Sequence, residues 1–328
     1  MFFVGWSVLF LRFLRYYNIN QQVHTSRQII DYINNMNFQY CPPRLIAEAG
    51  CNHKGDMEIA KELIRTAAIY CKADVIKFQK RNPRELLTPE QYDAPHPNPV
   101  NSYGETYGAH REFLEFNLEQ HCELKTYCEE VGIVYSSSVW DFTSAKEIAS
   151  LNPELIKIPS ASNNHYPMLE WLCDNYDGEI HVSLGMTTHA EEEKLISLFE
   201  KKGRNEDLVL YSCTSGYPVA FEDVCLLEIT RIKEMYGDRV KEIAFSGHHL
   251  GIAADVAAYT LGASTIERHY TLDRTWKGTD HAASLEPEGI RKLKRDLNAV
   301  YQALSYKNSE LLGVEEVQRD KLKYRASV

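Results

Sequence analysis

The sequence predicts a single (β/α)8 barrel, and three observations carry that prediction. Eight short β-rich runs alternate along the 328 residues with stretches of helical apolar spacing. Several of those runs are nearly continuous in apolar residues, as strands buried on both faces must be. The first run ends in AGCNHKGD (49–56), which lacks the G-x-G-x-x-G turn expected of a doubly wound open sheet.

The β-rich runs, in order, are RLIAEAG (44–50), ADVIKFQ (73–79), GIVYSSS (132–138), LIKIPS (155–160), IHVSLG (180–185), LVLYSC (208–213), EIAFSG (242–247) and STIERHY (264–270). Between them, apolar residues recur at helical spacing over 57–70, 118–131, 190–201 and 221–236, and a last helix over 287–304 follows the eighth run. One connection is long. Residues 80–117 carry Pro83, Pro89, Pro95, Pro97 and Pro99, and a loop of that length in a compact barrel is usually functional, here a cover for the substrate. A surface insertion without a role is the plainer alternative. Residues 305–328 are polar and read as a tail. The expected organisation is an N-terminal extension and barrel-bottom cap (1–43), a barrel (44–304) and a C-terminal tail (305–328).

Composition narrows the functional classes. With 44% hydrophobic and 25% charged residues the chain can bury a large core. A net charge of −10 argues against a nonspecific grip on nucleic acid, but not against a small anion held by a local cluster of Lys and His. The eight cysteines form no C-x-x-C pair, so a disulfide framework or zinc knuckle is unsupported; they are expected reduced, mostly in the core, in a cytoplasmic protein. The apolar run in residues 1–17 breaks at Arg12, too short to span a bilayer, with no basic residue ahead of it and no cleavage site after it. Packing on the barrel bottom, a tail foreign to the core, or a membrane-surface anchor are the readings open for it.

Chemistry in such a barrel sits at the C-terminal ends of the strands. There the sequence places Glu48, Asn52 and His53; Lys77 and Gln79; Ser136, Ser137 and Ser138; Lys157, Ser160, Ser162, Asn163 and Asn164; Ser183; Ser212, Thr214, Ser215 and Tyr217; Ser246, His248 and His249; and Glu267, Arg268 and His269, with Asp280 and His281 in the next loop. Lys77 and Lys157 stand at equivalent places in apolar strands. A buried ammonium is costly without an anionic partner, and a bound phosphate or carboxylate would supply one, with serine hydroxyls adding hydrogen bonds. Structural ion pairs are the competing reading. A histidine from each of the last two strands, beside Glu48, Glu267 and Asp280, suits a divalent transition metal. His269 is one of them; spacing alone leaves His248 and His249 open as the other.

These motifs resemble the sialic acid synthase family. The matching segments are IAEAGCNHKGD (46–56), DVIKFQ (74–79), TYGAHREFLEF (106–116), LIKIPSASNNHYPMLE (155–170), VSLGMT (182–187), CTSGYPVAFEDVCL (213–226), FSGHHLGI (245–252), IERHYTLD (266–273) and KGTDHAASLEP (277–287), in order over nearly the whole barrel. The resemblance implies condensation of phosphoenolpyruvate with an open-chain sugar aldehyde, N-acetylmannosamine or its 6-phosphate, with release of phosphate. It implies a divalent metal, typically Mn2+, on His248 and His269. It puts phosphoenolpyruvate on Lys77, Lys157, Ser160, Ser183, Ser215 and Ser246, and the sugar or its proton transfers on Glu48, Gln79, Tyr217 and Asp280. Ser162 stands where many members carry an acid that meets the sugar, and Ser162 and Asn164 are candidate substrate contacts. Position 215 also varies among members. A deaminated nonulosonate synthase using mannose or mannose 6-phosphate, or a legionaminic or pseudaminic acid synthase, therefore fits as well.

The family implies a homodimer in which a C-terminal antifreeze-like domain reaches the partner's sugar site. The sequence ends at Val328, near where that domain would begin, so the expected chain either lacks it or is the barrel part of something longer. Two rivals come from other classes: a metal-dependent hydrolase on the same barrel, which leaves the two lysines without a role, and a barrel that binds sugar phosphates without turnover.

Overall fold

A computed structural model describes residues 40–324. The N-terminal apolar run therefore lies outside the described residues. The chain divides into two compact units, one of Tyr40–Ala303 and one whose described part is residues 304–324.

The larger unit is a closed barrel of eight parallel strands in sequential order, β1 to β8. The strands are β1 Arg44–Gly50, β2 Val75–Lys80, β3 Val134–Val139, β4 Leu155–Ile158, β5 Glu179–Ser183, β6 Leu208–Cys213, β7 Glu242–Gly247 and β8 Thr265–His269. Each predicted β run matches one strand, three of them with identical bounds and the others with ends shifted by one or two residues. The helices between them are α1 Met57–Thr66, α2 Pro83–Leu86, α3 Pro89–Asp93, α4 Tyr107–Phe113, α5 Leu118–Val131, α6 Phe142–Ser150, α7 Tyr166–Asn175, α8 His189–Lys202, α9 Leu227–Tyr236, α10 Ala253–Thr260 and α11 Pro287–Ala303. α5 and α8 begin in capping boxes, Asn117 with Gln120 and Thr188 with Glu191, and end on Gly132 and Gly203 at positive φ.

Four expectations are corrected. α1 stops at Thr66 and the chain continues as a π-helical turn, Ala67–Cys71, closed by Lys72 in the left-handed region. α9 starts at Leu227 rather than 221, because a separate 3-10 turn occupies Phe221–Asp223. The stretch 80–117 is not a bare loop but holds α2, α3, α4 and a 3-10 turn. The polar end contains a helix, α12 Gly313–Leu322.

Period-two alternation along the strands explains how the barrel builds a site. Ile46, Val75, Leu155, Val209, Tyr211 and Ala244 form one buried cluster, with Val134 against it. Two residues further along, on the same face, the chain carries Glu48, Lys77, Ser136, Lys157 and Ser246. The lower barrel is thus apolar and the layer above it polar.

The cysteines are all unpaired, as expected, but only Cys71, Cys128 and Cys173 are buried. Cys41, Cys122 and Cys225 are exposed, so the cysteines are not mostly core. Among the described residues no helix is long and apolar enough to cross a membrane.

Candidate active site

The polar layer closes on itself through charge. Glu48 and Lys77 are register partners on β1 and β2, and their carboxylate and ammonium are in contact. Lys77 Nζ donates to Ser138 Oγ at 2.6 Å and lies 3.7 Å from Glu267 Oε2. Lys157 Nζ reaches the same Glu267 oxygen at 2.9 Å and sits 3.4 Å from the centre of the Tyr211 ring. Ser246 Oγ donates to Glu267 Oε1 at 3.0 Å. All four charged groups are buried.

This arrangement corrects the expectation that the two lysines need an external anion. Protein carboxylates, Glu48 and Glu267, already face them. Burial alone would raise the Glu267 carboxyl, but Lys157, Lys77 and the Ser246 hydroxyl hold it well below the ordinary carboxylate range. Burial lowers the Lys157 ammonium while Glu267 opposes that shift, and the contacts to Glu48 and Glu267 position both lysines.

Two of those hydroxyls converge. A methyl group built on Gly185 would lie 2.4 Å from Ser215 Oγ and 2.5 Å from Ser160 Oγ. Ser160 opens the 3-10 turn after β4 and Ser215 follows β6, so two strand ends present hydroxyls over one glycine. Ser183, buried, ends β5 beside them. Ser162 is not part of this cradle: its hydroxyl donates to Trp140 O at 2.7 Å. Asn164 is exposed and stands apart, while its neighbour Asn163 donates to Ser183 O at 2.9 Å and to Thr187 Oγ1 at 2.6 Å, bracing the end of β5.

On the opposite side of the mouth, Gly50 at φ +53° collects a second group. The same construction places Gln79 Nε2 at 3.0 Å, Glu48 Oε1 at 3.4 Å and Asp280 Oδ2 at 3.6 Å. Gln79 Nε2 donates to Glu48 Oε1 at 2.7 Å. Burial raises the Asp280 carboxyl, but His269 and Arg81 draw it below its ordinary value.

The histidines join the two sides. The rings of His248 and His269 are 5.4 Å apart, and Tyr217 lies 4.2 Å from His248 and 5.8 Å from His269. His248 Nδ1 is 3.1 Å from Thr214 O. A carbonyl only accepts, so Nδ1 carries the proton and Nε2 keeps its lone pair. Burial, and next the charge of His269, bring His248 down to about 3, which keeps the ring neutral. His269 pairs with Glu48 in the β1–β8 register, and its Nδ1 is buried with no hydrogen-bond partner among the described residues.

A neutral ring with an oriented lone pair and a second ring with an orphaned nitrogen fit a divalent metal. Among the described residues no group of three or more His, Cys, Asp or Glu is clustered for a metal. His249 turns the other way, with Nε2 3.1 Å from the Arg268 guanidinium and 3.3 Å from Asp255 Oδ2, so of the two adjacent histidines it is His248 that stands beside His269.

Two residues here escaped the sequence reading. Glu267 stands beside the histidines in the sequence without a role of its own, yet it pairs with Lys157 at 2.9 Å and lies 3.7 Å from Lys77. Arg81 was missed. It is buried, contacts Gln79 Oε1, lies 3.2 Å from Cys51 Sγ and 3.5 Å from Glu115, and packs over Trp140 at 4.1 Å. The signal was present: Lys77, Gln79 and Arg81 continue one alternation.

Comparison with known proteins gives the family. The model of the NeuB family matches residues 63–309. An N-acetylneuraminate-9-phosphate synthase from Homo sapiens is 36% identical over 296 residues, 88% of this chain and 80% of that protein. An N,N'-diacetyllegionaminic acid synthase from Campylobacter jejuni is 31% identical over 261 residues, 79% of this chain and 77% of that one. The crystal structure of an N-acetylneuraminic acid synthetase from Leptospira borgpetersenii superposes with a TM-score of 0.72 at 29% identity, covering 87% of this chain and 94% of that one. The lysine–carboxylate layer, the hydroxyl cradle and the histidine pair therefore stand in a barrel that belongs to the NeuB family of nonulosonic acid synthases.

Proposed function

We propose that the protein condenses phosphoenolpyruvate with N-acetylmannosamine 6-phosphate in its open-chain form, giving N-acetylneuraminate 9-phosphate and inorganic phosphate. The observation that carries this reading is the two-sided mouth. Ser160 and Ser215 converge at Gly185 on one side, and Glu48, Gln79 and Asp280 converge at Gly50 on the other. The two histidines stand between them, His248 tied to Thr214 beside the serines and His269 in register with Glu48. The 36% identity to the human 9-phosphate synthase supports the choice of acceptor.

In this reading the Ser160 and Ser215 hydroxyls, with Lys157 behind them, hold the phosphoenolpyruvate phosphate and carboxylate. Lys77 and Lys157, locked by Glu48 and Glu267, orient the enol so that its methylene carbon faces the aldehyde. His248 and His269 would hold the divalent metal, taken as Mn2+. When bound, it supplies Lewis acidity to the aldehyde carbonyl. The new carbon–carbon bond forms between the methylene carbon and the aldehyde carbon. Water adds to the second carbon of the former enol, Glu48 accepting its proton. The bond from that carbon to the bridging oxygen breaks, and phosphate leaves. Gln79, Asp280 and the exposed Tyr217 ring position the sugar chain.

The test is product formation from phosphoenolpyruvate and a panel of N-acetylmannosamine, mannose and both 6-phosphates, with Mn2+ or a chelator. A 2-keto-3-deoxy product and equimolar phosphate are expected, lost with chelator and reduced at least about a hundredfold in His248→Ala, as for removal of a principal transition-state contact. Phosphate released without any sugar would instead identify a hydrolase. Binding of phosphoenolpyruvate with no product from any sugar would leave a barrel without turnover.

A further inference from the structure

We propose that Arg111 and Lys277 form a subsite for the distal phosphate of the acceptor sugar. The proposal rests on the condensation reading above and names the residues that would recognise the acceptor's phosphate.

Cations are abundant at the rim, but most are committed. Arg81 is held against Glu115, Lys80 lies 3.2 Å from Glu147, and Arg84 lies 3.1 Å from Glu112. Arg111 and Lys277 differ. Among the described residues neither is ion-paired to a carboxylate, and aromatic side chains hold both. Arg111 donates through Nε at 3.1 Å and Nη2 at 2.7 Å to Tyr107 Oη, leaving Nη1 uncommitted. Lys277 Nζ lies 4.8 Å over the Tyr103 ring. A cation stacked on an aromatic keeps its full charge for a ligand. In a chain of net charge −10, cations at the mouth without carboxylate partners, these two and Lys54 over the Trp276 ring at 3.9 Å, favour an anion there.

The two are tied together and to the sugar side. Tyr103 Oη donates to the Lys277 carbonyl, and Tyr103 N donates to His110 Nδ1 at 3.1 Å, next to Arg111. Lys277 precedes Asp280 by three residues in one loop, and Asp280 faces Glu48 and Gln79 across Gly50. Arg111 is near enough for its charge to help draw Asp280 down. An open-chain hexose with its aldehyde at the histidines and its middle hydroxyls near Asp280 would direct its sixth carbon toward these loops. A phosphate dianion there meets a guanidinium edge and an ammonium, the pairing that phosphate recognition favours.

The test compares kcat/KM for N-acetylmannosamine 6-phosphate with that for N-acetylmannosamine, at saturating phosphoenolpyruvate and Mn2+. The unsubstituted enzyme is expected to prefer the phosphorylated sugar. Lys277→Gln and Arg111→Gln should each lower that preference at least about tenfold, the equivalent of one charge-assisted contact, with Lys277→Arg restoring most of it. Lys277 is exposed, so its variants test the proposal even if Arg111→Gln folds poorly. A preference unchanged in both variants overturns the subsite. So does an unsubstituted enzyme that turns over only the free sugar, which would replace the 6-phosphate as acceptor and leave the condensation itself standing. Should neither sugar react, calorimetric binding of the 6-phosphate decides: tight binding weakened by Lys277→Gln supports the subsite, and binding indifferent to it does not.

Discussion

Ser160 and Ser162 show what a single residue can and cannot reveal. Both stand in LIKIPSAS, two positions apart, and both read as substrate contacts. The 3-10 turn at Ser160–Ser162 separates them: Ser160 Oγ is aimed at Gly185 with Ser215 Oγ, while Ser162 Oγ is spent on Trp140 O. The sequence could not show this, because turn geometry after a strand does not follow the alternation within it. Ser160→Ala should raise the KM for phosphoenolpyruvate about tenfold, since one hydrogen bond to a charged group is worth about 1.5 kcal/mol or more. Ser162→Ala should leave that KM within about twofold and lower stability by about 1 kcal/mol, the typical loss of one buried bond. Gly185→Ala is sharper still. Its methyl group would displace both hydroxyls, side-chain atoms that can swing aside, so the barrel should fold while phosphoenolpyruvate binding weakens by tenfold or more. Steady-state kinetics beside urea unfolding separates the cases, and equal KM values for the Ser160 and Ser162 variants would sink the assignment of the cradle.

At the scale of elements, the strands were legible and the segment 80–117 was not. Buried parallel strands announce themselves as apolar runs, and the capping pairs Asn117–Gln120 and Thr188–Glu191 mark their helices in the sequence. The prolines misled. Five prolines in one connection suggest a loop, yet Pro83, Pro89 and Pro99 each follow an N-capping position, Asn82, Thr88 or Asn98, and open a short helix. Helices of four to seven residues leave too little periodicity to register. They pack through close contacts instead. A methyl group on Gly108 would fall 2.2 Å from the Tyr92 ring, where α4 crosses α3, and Tyr103 stacks on Phe113 at 5.0 Å. Gly108→Ala should therefore expel Tyr92 and loosen this segment without unfolding the barrel. Limited proteolysis read by mass spectrometry should show new cleavage between residues 83 and 113 with the barrel fragment intact. Cleavage identical to that of the unsubstituted protein would mean that α3 does not depend on this packing.

The whole molecule joins an apolar lower barrel to a charged upper layer, and that division was half visible. The polar residues at the strand ends could be read as a set, but not that Glu48 and Glu267 would neutralise Lys77 and Lys157, because pairing across β1, β2, β4 and β8 depends on barrel closure. The same closure buries further histidines outside the His248–His269 pair. His121 Nδ1 lies 2.7 Å from Tyr135 Oη, His181 Nδ1 lies 2.7 Å from Tyr211 Oη, and His53 stacks on Phe116 at 4.0 Å. Burial is the first cause in each case, bringing His53 and His121 down to about 3 and His181 to about 4, even with Glu179 pulling His181 upward. Below about pH 6.5 the unfolded chain takes up protons at these positions that the folded chain refuses. Stability should hold steady above pH 7 and fall as the pH drops from about 6.5 toward 4. The slope approaches about 1.4 kcal/mol per pH unit for each histidine once the pH is well below its unfolded value. Urea midpoints measured from pH 8 to pH 4.5 read this directly, and a midpoint that stays constant across the range would mean that these histidines are protonated, or reachable by water, in the folded barrel.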